Sequence, residues 1–230
     1  MIRVIFFVVI AHMVSNCFAD EISAISRGGL LYDRWYKVIG TEKPNYTHPA
    51  WPSSNKDKNG ATTHRCKSCH GWDYKGRNGS YATGKYKTGI PGIQYFSGGD
   101  KSEVLGILTN KLHDMDSWLT AKDLDDLALF VVKGQFDFAK FISVETNLVR
   151  SGDSNSGAEY YNTVCAKCHG AQGDLIKDMT PIGVIAHKNP WEVMHKIING
   201  QPGEKMPSMR AFGITVVMDI MAYVQTLKNN

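Results

Sequence analysis

A five-residue pattern, C-x-x-C-H, occurs twice in this chain of 230 residues and constrains its fold more than any other feature. It is found at residues 66–70 and again at residues 165–169, and the two copies contain four of the five cysteines. The pattern is the attachment signature of c-type haem. Its two thiols can form thioether bonds to the two vinyl groups of one porphyrin, while the adjacent histidine binds the iron.

The two motifs therefore predict two covalently bound haem c groups, each with its iron. The attaching thiols would be those of Cys66, Cys69, Cys165 and Cys168, and the proximal iron ligands would be His70 and His169. In each site the second ring nitrogen of the histidine needs a hydrogen-bond acceptor, because that bond fixes the orientation and the basicity of the ring.

Other uses of paired cysteines are open for an exported chain. Exported cysteines usually form disulfides, and C-x-x-C also occurs in thioredoxin-like redox sites and in zinc ribbons. A zinc ribbon needs two pairs roughly 15–20 residues apart, whereas Cys69 and Cys165 are 96 positions apart. A redox C-x-x-C does not require a following histidine. Covalent haem is therefore the prediction that the motifs favour.

The N-terminus is typical of an export signal. A short positive start precedes an apolar run at residues 4–14, and the small residues that end at Ala19 favour cleavage there, so residues 1–19 are the predicted signal peptide. Cys17 supports a second interpretation, a lipoprotein with an acylated cysteine, although Asn16 departs from that pattern; an uncleaved anchor is a third. In every case we expect the rest of the chain in the oxidising periplasm, either soluble or lipid-anchored.

Composition excludes several classes of protein. The chain has 26 Lys and Arg residues against 22 Asp and Glu, and the formal charge of +4 is too small to indicate nucleic-acid binding. No stretch approaches the roughly 20 apolar residues that a membrane helix needs, which excludes a multi-span membrane protein. The sequence has no hydrolase nucleophile motif and no metalloprotease motif.

The same order of features follows each motif. Periodicity and capping residues predict a helix, a loop with a methionine and a second helix after each copy. The predicted helices span residues 102–112, 120–133, 189–199 and 214–227. Residues 126–131 match residues 219–224 position by position, which argues for a duplicated unit. The small polar residues 151–157 are the predicted linker between the units.

Each half resembles a class I cytochrome c domain. That family has an N-terminal helix, C-x-x-C-H, a proline beside the haem, a helix, an axial methionine and a C-terminal helix. The resemblance implies an all-α fold of two tandem cytochrome c-like domains, each wrapped on a covalently attached haem. The first would span residues 20–150, with an insertion at 41–65, and the second residues 151–230. Their N-terminal helices would lie at 28–38 and 157–164.

The resemblance also assigns two prolines. Pro91 and Pro181 match the proline whose carbonyl accepts the N–H of the proximal histidine in this family, although Pro91 lies in a looser loop. The other histidines with no assigned iron are expected to be surface or hydrogen-bonding residues: His48, His64, His187 and His195. Aromatic residues after the first motif, such as Trp72 and Tyr74, are expected to cover porphyrin or to lie in the core.

The sixth iron ligands follow from the same resemblance. Met206, followed by a proline, matches the family's axial methionine, with Met209 as the local alternative. Met115 is the predicted sixth ligand of the first iron, but it lacks the following proline. His113 competes with it, and an open iron is the third alternative.

The predicted ligands imply electron transfer. A methionine opposite a histidine gives a relatively high potential, and an iron with both positions filled by protein exchanges electrons without binding substrate. We expect a dihaem c-type cytochrome that carries electrons between periplasmic or membrane redox partner proteins, rather than an enzyme. No nucleic-acid partner is expected, and membrane association would come from a partner or from a lipid on Cys17.

Two alternatives stay open. The chain could be a cytochrome subunit of a larger dehydrogenase or oxidase, for which residues 41–65 are the one visible candidate for a docking segment. It could also be a dihaem oxidoreductase that acts on a small sulfur compound or a peroxide, which would require an open or labile position on the first iron.

Overall fold

The computed structural model describes residues 2–228, including the side chains of residues 19–228. Its α-helices are α1 (Ile2–Val38), α2 (Cys66–His70), α3 (Lys101–Leu108), α4 (Ala121–Leu129), α5 (Ser154–Tyr160), α6 (Ala166–His169), α7 (Ile182–Lys188), α8 (Pro190–Asn199) and α9 (Gly213–Val224). Between residues 2 and 228 there is no β-strand, and two isolated bridges are the only β pairing. The predicted all-α class is confirmed.

Helix α1 contains both the predicted export signal and the predicted N-terminal helix at residues 28–38. Its backbone is helical from Ile2 onward, with Arg34 as a single non-helical residue at φ −159° and ψ 76°. The thiol of Cys17, the predicted lipid attachment point, lies outside the described side chains. Among the residues that the structure describes, no helix combines the length and apolar character that crossing a membrane requires.

Side-chain caps decide where several helices begin. Asp100 accepts a backbone N–H at the start of α3, and Thr120 and Asp123 form a reciprocal capping box at the start of α4. Asn189 caps α8, whose first residue is Pro190. The caps at Thr120 and Asn189 lie where the sequence predicts them because capping is a local property of the chain, whereas the cap at Asp100 was not predicted.

The predicted linker at residues 151–157 is wrong in its second half. The Asp153 carboxylate accepts the backbone N–H of Asn155 at 2.9 Å, so α5 begins at Ser154 and includes Gly157. A small polar composition is compatible with a loop, but an aspartate cap followed by a packed glycine starts a helix here instead.

The first and last helices of each half meet at a glycine. Gly28 of α1 lies against the backbone carbonyl of Asp126 in α4, and Gly157 of α5 lies against the carbonyl of Asp219 in α9. A Cβ atom at either glycine would overlap that carbonyl oxygen. Asp126 and Asp219 occupy the same position in the two segments that match in sequence, so the same close approach occurs twice.

Helix α8 joins the two halves. It packs against α1 on one side and against α9 on another, and every residue from Val193 to Asn199 except Lys196 is buried. One cluster of buried apolar side chains extends from α1 through α4 to α8 and α9. The two halves therefore share a core instead of contacting each other only through a linker.

The insertion at residues 41–65 folds back onto the first half. The backbone carbonyl of His64 accepts the indole N–H of Trp35 at 2.8 Å, and the Asn55 amide donates to the carbonyl of Lys87 at 3.0 Å. Trp51, in the middle of the insertion, is buried. Much of this segment therefore covers the region around the first motif.

Candidate haem-binding sites

The first motif forms the whole of α2, a single helical turn that places Cys66 and Cys69 three residues apart on one face. All four motif cysteines are free thiols. Burial raises the pKa of both Cys66 and Cys69 to about 12. Both are therefore neutral thiols in the absence of a bound group.

The ring of His70 is oriented by the loop that contains Pro91. Its Nδ1–H donates to the Pro91 carbonyl oxygen at 2.8 Å, the acceptor that the family pattern assigns. Burial lowers the pKa of His70 to about 4, so the imidazole is neutral. With its proton on Nδ1, the ring presents the Nε2 lone pair as a metal ligand.

Both predicted candidates for the sixth ligand of a first iron lie in the loop between α3 and α4. Met115 is buried and begins a short 3₁₀ turn, Met115–Ser117. His113 is half-buried, its ring centre is 6.4 Å from that of His70, and the two ring planes are inclined by 20°. A cavity of about 100 Å³ adjoins both candidates and is lined in part by Trp35 and Trp118.

The second motif lies at the end of a continuous helical segment. Cys165 closes a π-helical turn, Tyr161–Cys165, and α6 carries the remaining motif residues. The Nδ1 atom of His169 is buried and has no hydrogen-bond partner among the described residues. The Pro181 carbonyl accepts the N–H of Ile185 in α7 at 3.2 Å, and it accepts no bond from His169.

Apolar side chains around α6 are open to solvent. Val164, Leu175 and Ile176 are 37%, 59% and 39% exposed. Met206 is half-buried in the loop between α8 and α9, whereas Met209 is buried and its N–H donates to the Ile197 carbonyl at 3.0 Å. Free thiols and uncovered apolar side chains together fit a covalently attached porphyrin, whereas the acceptor that Nδ1 of His169 needs is not in place.

Residues 152–224 match the protein-family model described as cytochrome C oxidase, cbb3-type, subunit III. This match supports a c-type cytochrome. A cytochrome c domain binds haem c with its iron and transfers electrons to redox partners. The matched segment includes the second motif, Pro181 and Met206. No match was found to a curated protein or to a solved structure.

Two tyrosines hold the glycines that follow the two motifs, which the sequence analysis did not predict. The hydroxyl of Tyr32 donates to the carbonyl of Gly71 at 2.6 Å, and that of Tyr161 donates to the carbonyl of Gly170 at 2.8 Å. Each glycine directly follows the motif histidine. Sequence separations of 39 and 9 residues hide this equivalence, since the insertion lies between the first pair and not between the second.

A buried histidine connects the two halves. His195 Nε2 lies 3.0 Å from the Gly29 carbonyl oxygen, and its Nδ1 lies 3.0 Å from the Tyr74 hydroxyl. The Trp72 ring centre is 5.0 Å from that of His195. Burial lowers the pKa of His195 to about 4, so the ring is neutral. The sequence predicted a surface or hydrogen-bonding role for His195; the residue is buried and hydrogen-bonded, and its place at this interface was not predicted.

An ionic cluster lies beside that histidine. Asp33 is almost fully buried, pairs with Arg65, and lies 3.0 Å from the ammonium of Lys196 in α8. Burial alone would raise the pKa of Asp33, but Lys196 and Arg65 hold it well below its ordinary value. Since Arg65 immediately precedes the first motif, this cluster ties α1, the motif and α8 together.

Proposed function

We propose that the protein is a dihaem c-type cytochrome that transfers single electrons between periplasmic or membrane redox partners. The observation that carries this proposal is the local structure that the two motifs share. Each motif histidine ends a short helix, the next glycine has φ near +80° (84° at Gly71 and 80° at Gly170), and its carbonyl accepts a tyrosine hydroxyl. The family match covers the second copy of this arrangement, and its repetition supports a second haem in the first half.

The proposed organisation is two tandem cytochrome c-like domains, residues 20–150 and 151–230, preceded by a signal peptide at residues 1–19. The first haem would be held by Cys66, Cys69 and His70, and the second by Cys165, Cys168 and His169, with Met206 as sixth ligand. A haem c bound in this way supplies a one-electron iron couple. Pro91 orients His70, and Pro181 is the acceptor proposed for His169.

The shared core suggests why two haems belong to one molecule. Helix α8 belongs to the second half but packs against α1 of the first, and His195 and Lys196 bind residues of α1 directly. A rigid interface of this kind keeps two redox centres at a fixed separation. The protein would therefore act as a two-centre relay with one geometry.

A cytochrome subunit of a larger oxidase is the second candidate. The observation that favours it is the description of the matching family, which names an oxidase subunit. The two candidates differ in assembly: a carrier migrates alone, whereas a subunit migrates with larger partners. Native electrophoresis of gently solubilised cells of the source organism, stained for haem, separates these outcomes.

The dihaem proposal is tested by the mass and redox behaviour of protein from a haem-attaching host. The intact mass should exceed that of the mature chain by two haem masses, and acid-acetone extraction should leave the colour with the protein. A reductive titration should take up two electrons per molecule. Free haem in the extract, or disulfides in place of thioethers, would refute the proposal.

Matched variants assign each haem to its motif. Cys66→Ser with Cys69→Ser should remove one haem mass, and Cys165→Ser with Cys168→Ser should remove the other. Mass spectrometry of each variant gives the count directly. If the first pair of substitutions left two haems attached, the first motif would not be an attachment site.

A further inference from the structure

The geometry points to a different sixth ligand for the first iron from the one that the sequence predicts. We infer that His113, and not Met115, binds opposite His70, so that the first haem is bis-histidine ligated. This inference rests on the proposed dihaem function. Its evidence is the spacing of the imidazole rings of His70 and His113 and the acceptors that lie beside their Nδ1 atoms.

The spacing of the two rings is that of two imidazoles on one metal ion. Their centres are 6.4 Å apart and their planes are inclined by 20°. An imidazole nitrogen lies about 2 Å from a bound metal, so the centres of two rings on opposite sides of it are roughly 6 to 6.5 Å apart. At this spacing, one iron can lie between the rings of His70 and His113.

Each ring also has its Nδ1 turned toward an acceptor. His70 donates to the Pro91 carbonyl, and the Nδ1 of His113 lies 3.4 Å from the Asn110 side-chain oxygen. A histidine that binds a metal through one nitrogen usually donates its other N–H to an acceptor of this kind. With a proton on Nδ1, each ring has the lone pair of Nε2 to bind a metal.

The backbone around His113 is fixed in a tight turn. The Asn110 side-chain oxygen accepts the backbone N–H of Leu112 at 2.9 Å and that of His113 at 3.0 Å. Asp114 follows in the left-handed region, at φ 48° and ψ 36°. A non-glycine residue there is uncommon, and this turn places the His113 ring toward His70 while Met115 turns into the core.

Met115 has the environment of a packing residue. It is 7% exposed and belongs to the buried apolar cluster that includes Leu119 and Leu124. Its carbonyl accepts the N–H groups of Trp118 and Leu119, at 3.1 and 2.8 Å. A methionine that fills a gap between aromatic and aliphatic side chains is the ordinary use of this residue.

Bis-histidine ligation makes the two haems unequal. Methionine opposite histidine raises the potential of a haem iron, so a second haem with Met206 would have a higher potential than a first haem with His113. Electrons would then pass from the first half to the second. The direction of the relay is set by the ligand difference.

The native protein gives the first test without any substitution. Ferric absorption and magnetic circular dichroism should show a thioether-to-iron charge-transfer band for one haem only. Electron paramagnetic resonance should show two low-spin species and no high-spin iron. Two methionine-ligated haems, or a high-spin first haem, would overturn the inference.

Variants of the two candidates give the second test. His113→Ala should make one haem high-spin and able to bind carbon monoxide when reduced, and added imidazole should restore the low-spin state. Met115→Leu should leave both haems low-spin with unchanged midpoint potentials. His48→Ala, in the same cavity wall as both candidates, is the matched control and should also change neither. The reverse pattern at positions 113 and 115 would assign the ligand to Met115.

A further variant covers the case in which His113→Ala fails to fold. His113→Met should keep the first haem low-spin and raise one of the two midpoint potentials. Unchanged potentials in a folded His113→Met protein would contradict the inference. Intact mass separates this result from a failure of the proposed function, since two attached haems support the dihaem cytochrome whichever residue is the sixth ligand.

Discussion

The hydroxyl of Tyr74 and the Nδ1 atom of His195 lie 3.0 Å apart, although 121 positions separate the two residues in the chain. Both side chains are buried, and the other ring nitrogen of His195 donates to the Gly29 carbonyl. Tyr74 itself has a φ of 63°, a conformation that a bulky residue adopts only where its surroundings hold it. This pair fixes α8 against the first half.

Replacing His195 should weaken the whole molecule. His195→Phe leaves the Gly29 carbonyl and the Tyr74 hydroxyl without partners, and each such buried group costs about 1–3 kcal/mol. We expect the free energy of unfolding to fall by at least about 1–3 kcal/mol. Guanidinium titrations followed by circular dichroism measure this loss. Tyr74→Phe, which keeps the bond from His195 to Gly29, should lose less.

The same histidine predicts a dependence of stability on pH. The folded pKa of His195 is about 4, below its ordinary value near 6.5, so the unfolded chain binds this proton first as the pH falls. The neutral ring therefore contributes fully to the free energy of unfolding above about pH 6.5. Between pH 6.5 and pH 4 this contribution falls by on the order of 3 kcal/mol. Asp33, Lys196 and Arg210 are the charged groups that act on the ring.

The measurement is the difference in unfolding free energy between the native protein and His195→Phe at each pH. That difference should shrink from pH 7 to pH 4, because the contributions of all other titratable groups are the same in the two proteins and cancel. A difference that stayed constant over this range would mean that folding does not lower the pKa of His195.

The buried carboxylate of Asp33 supports a second prediction. Asp33→Asn removes the negative charge that Arg65 and Lys196 share, and breaking a buried pair from one side typically costs about 3–5 kcal/mol. Glu21→Gln is the control, since the exposed pair of Glu21 and Lys133 should contribute less than about 1 kcal/mol. Equal effects of the two substitutions in denaturant unfolding would argue against a structural role for Asp33.

Two matched tyrosines give a third prediction. Tyr32→Phe and Tyr161→Phe each remove one hydroxyl donor to the glycine carbonyl after a motif, and we expect each to cost about 1–2 kcal/mol of unfolding free energy. Tyr95→Phe, at a side chain that is 73% exposed, should change almost nothing. If Tyr161→Phe alone were neutral, the two motifs would not be supported in the same way.

Local signals allowed parts of the fold to be predicted from the sequence. Asn189 and Pro190 fix the start of α8, and the predicted range of 189–199 differs from Pro190–Asn199 by one residue. The start of α5 was missed, because residues 151–157 have a loop-like composition and only the capping bond of Asp153 shows that a helix begins.

The candidate sites divide in the same way. The C-x-x-C-H motif includes the histidine at a fixed position, so His70 could be predicted as a ligand from the spacing alone. The choice between His113 and Met115 could not, since both lie in the loop between α3 and α4 and the choice depends on which side chain the folded loop directs toward His70. The pairing of His195 with Tyr74 depends on packing between distant segments and has no local signal.

The close approach of helices at glycine gives the last prediction. Gly157→Ala would place a methyl group on the carbonyl of Asp219, and Gly28→Ala would do the same at Asp126, so the paired helices must separate. Overpacking of this kind costs about 1–3 kcal/mol, which outweighs the gain in helix propensity.

Gly106→Ala is the matched control for these substitutions. Gly106 is exposed in α3, and no atom lies near the position of an added methyl group. Alanine should therefore stabilise the protein there by about 0.5–1 kcal/mol. Denaturant unfolding of the three variants should give losses at positions 28 and 157 and a gain at 106. A gain at position 157 would show that α5 and α9 do not approach as closely as the structure has them. The helix contact at a glycine would then occur in the first half and not in the second.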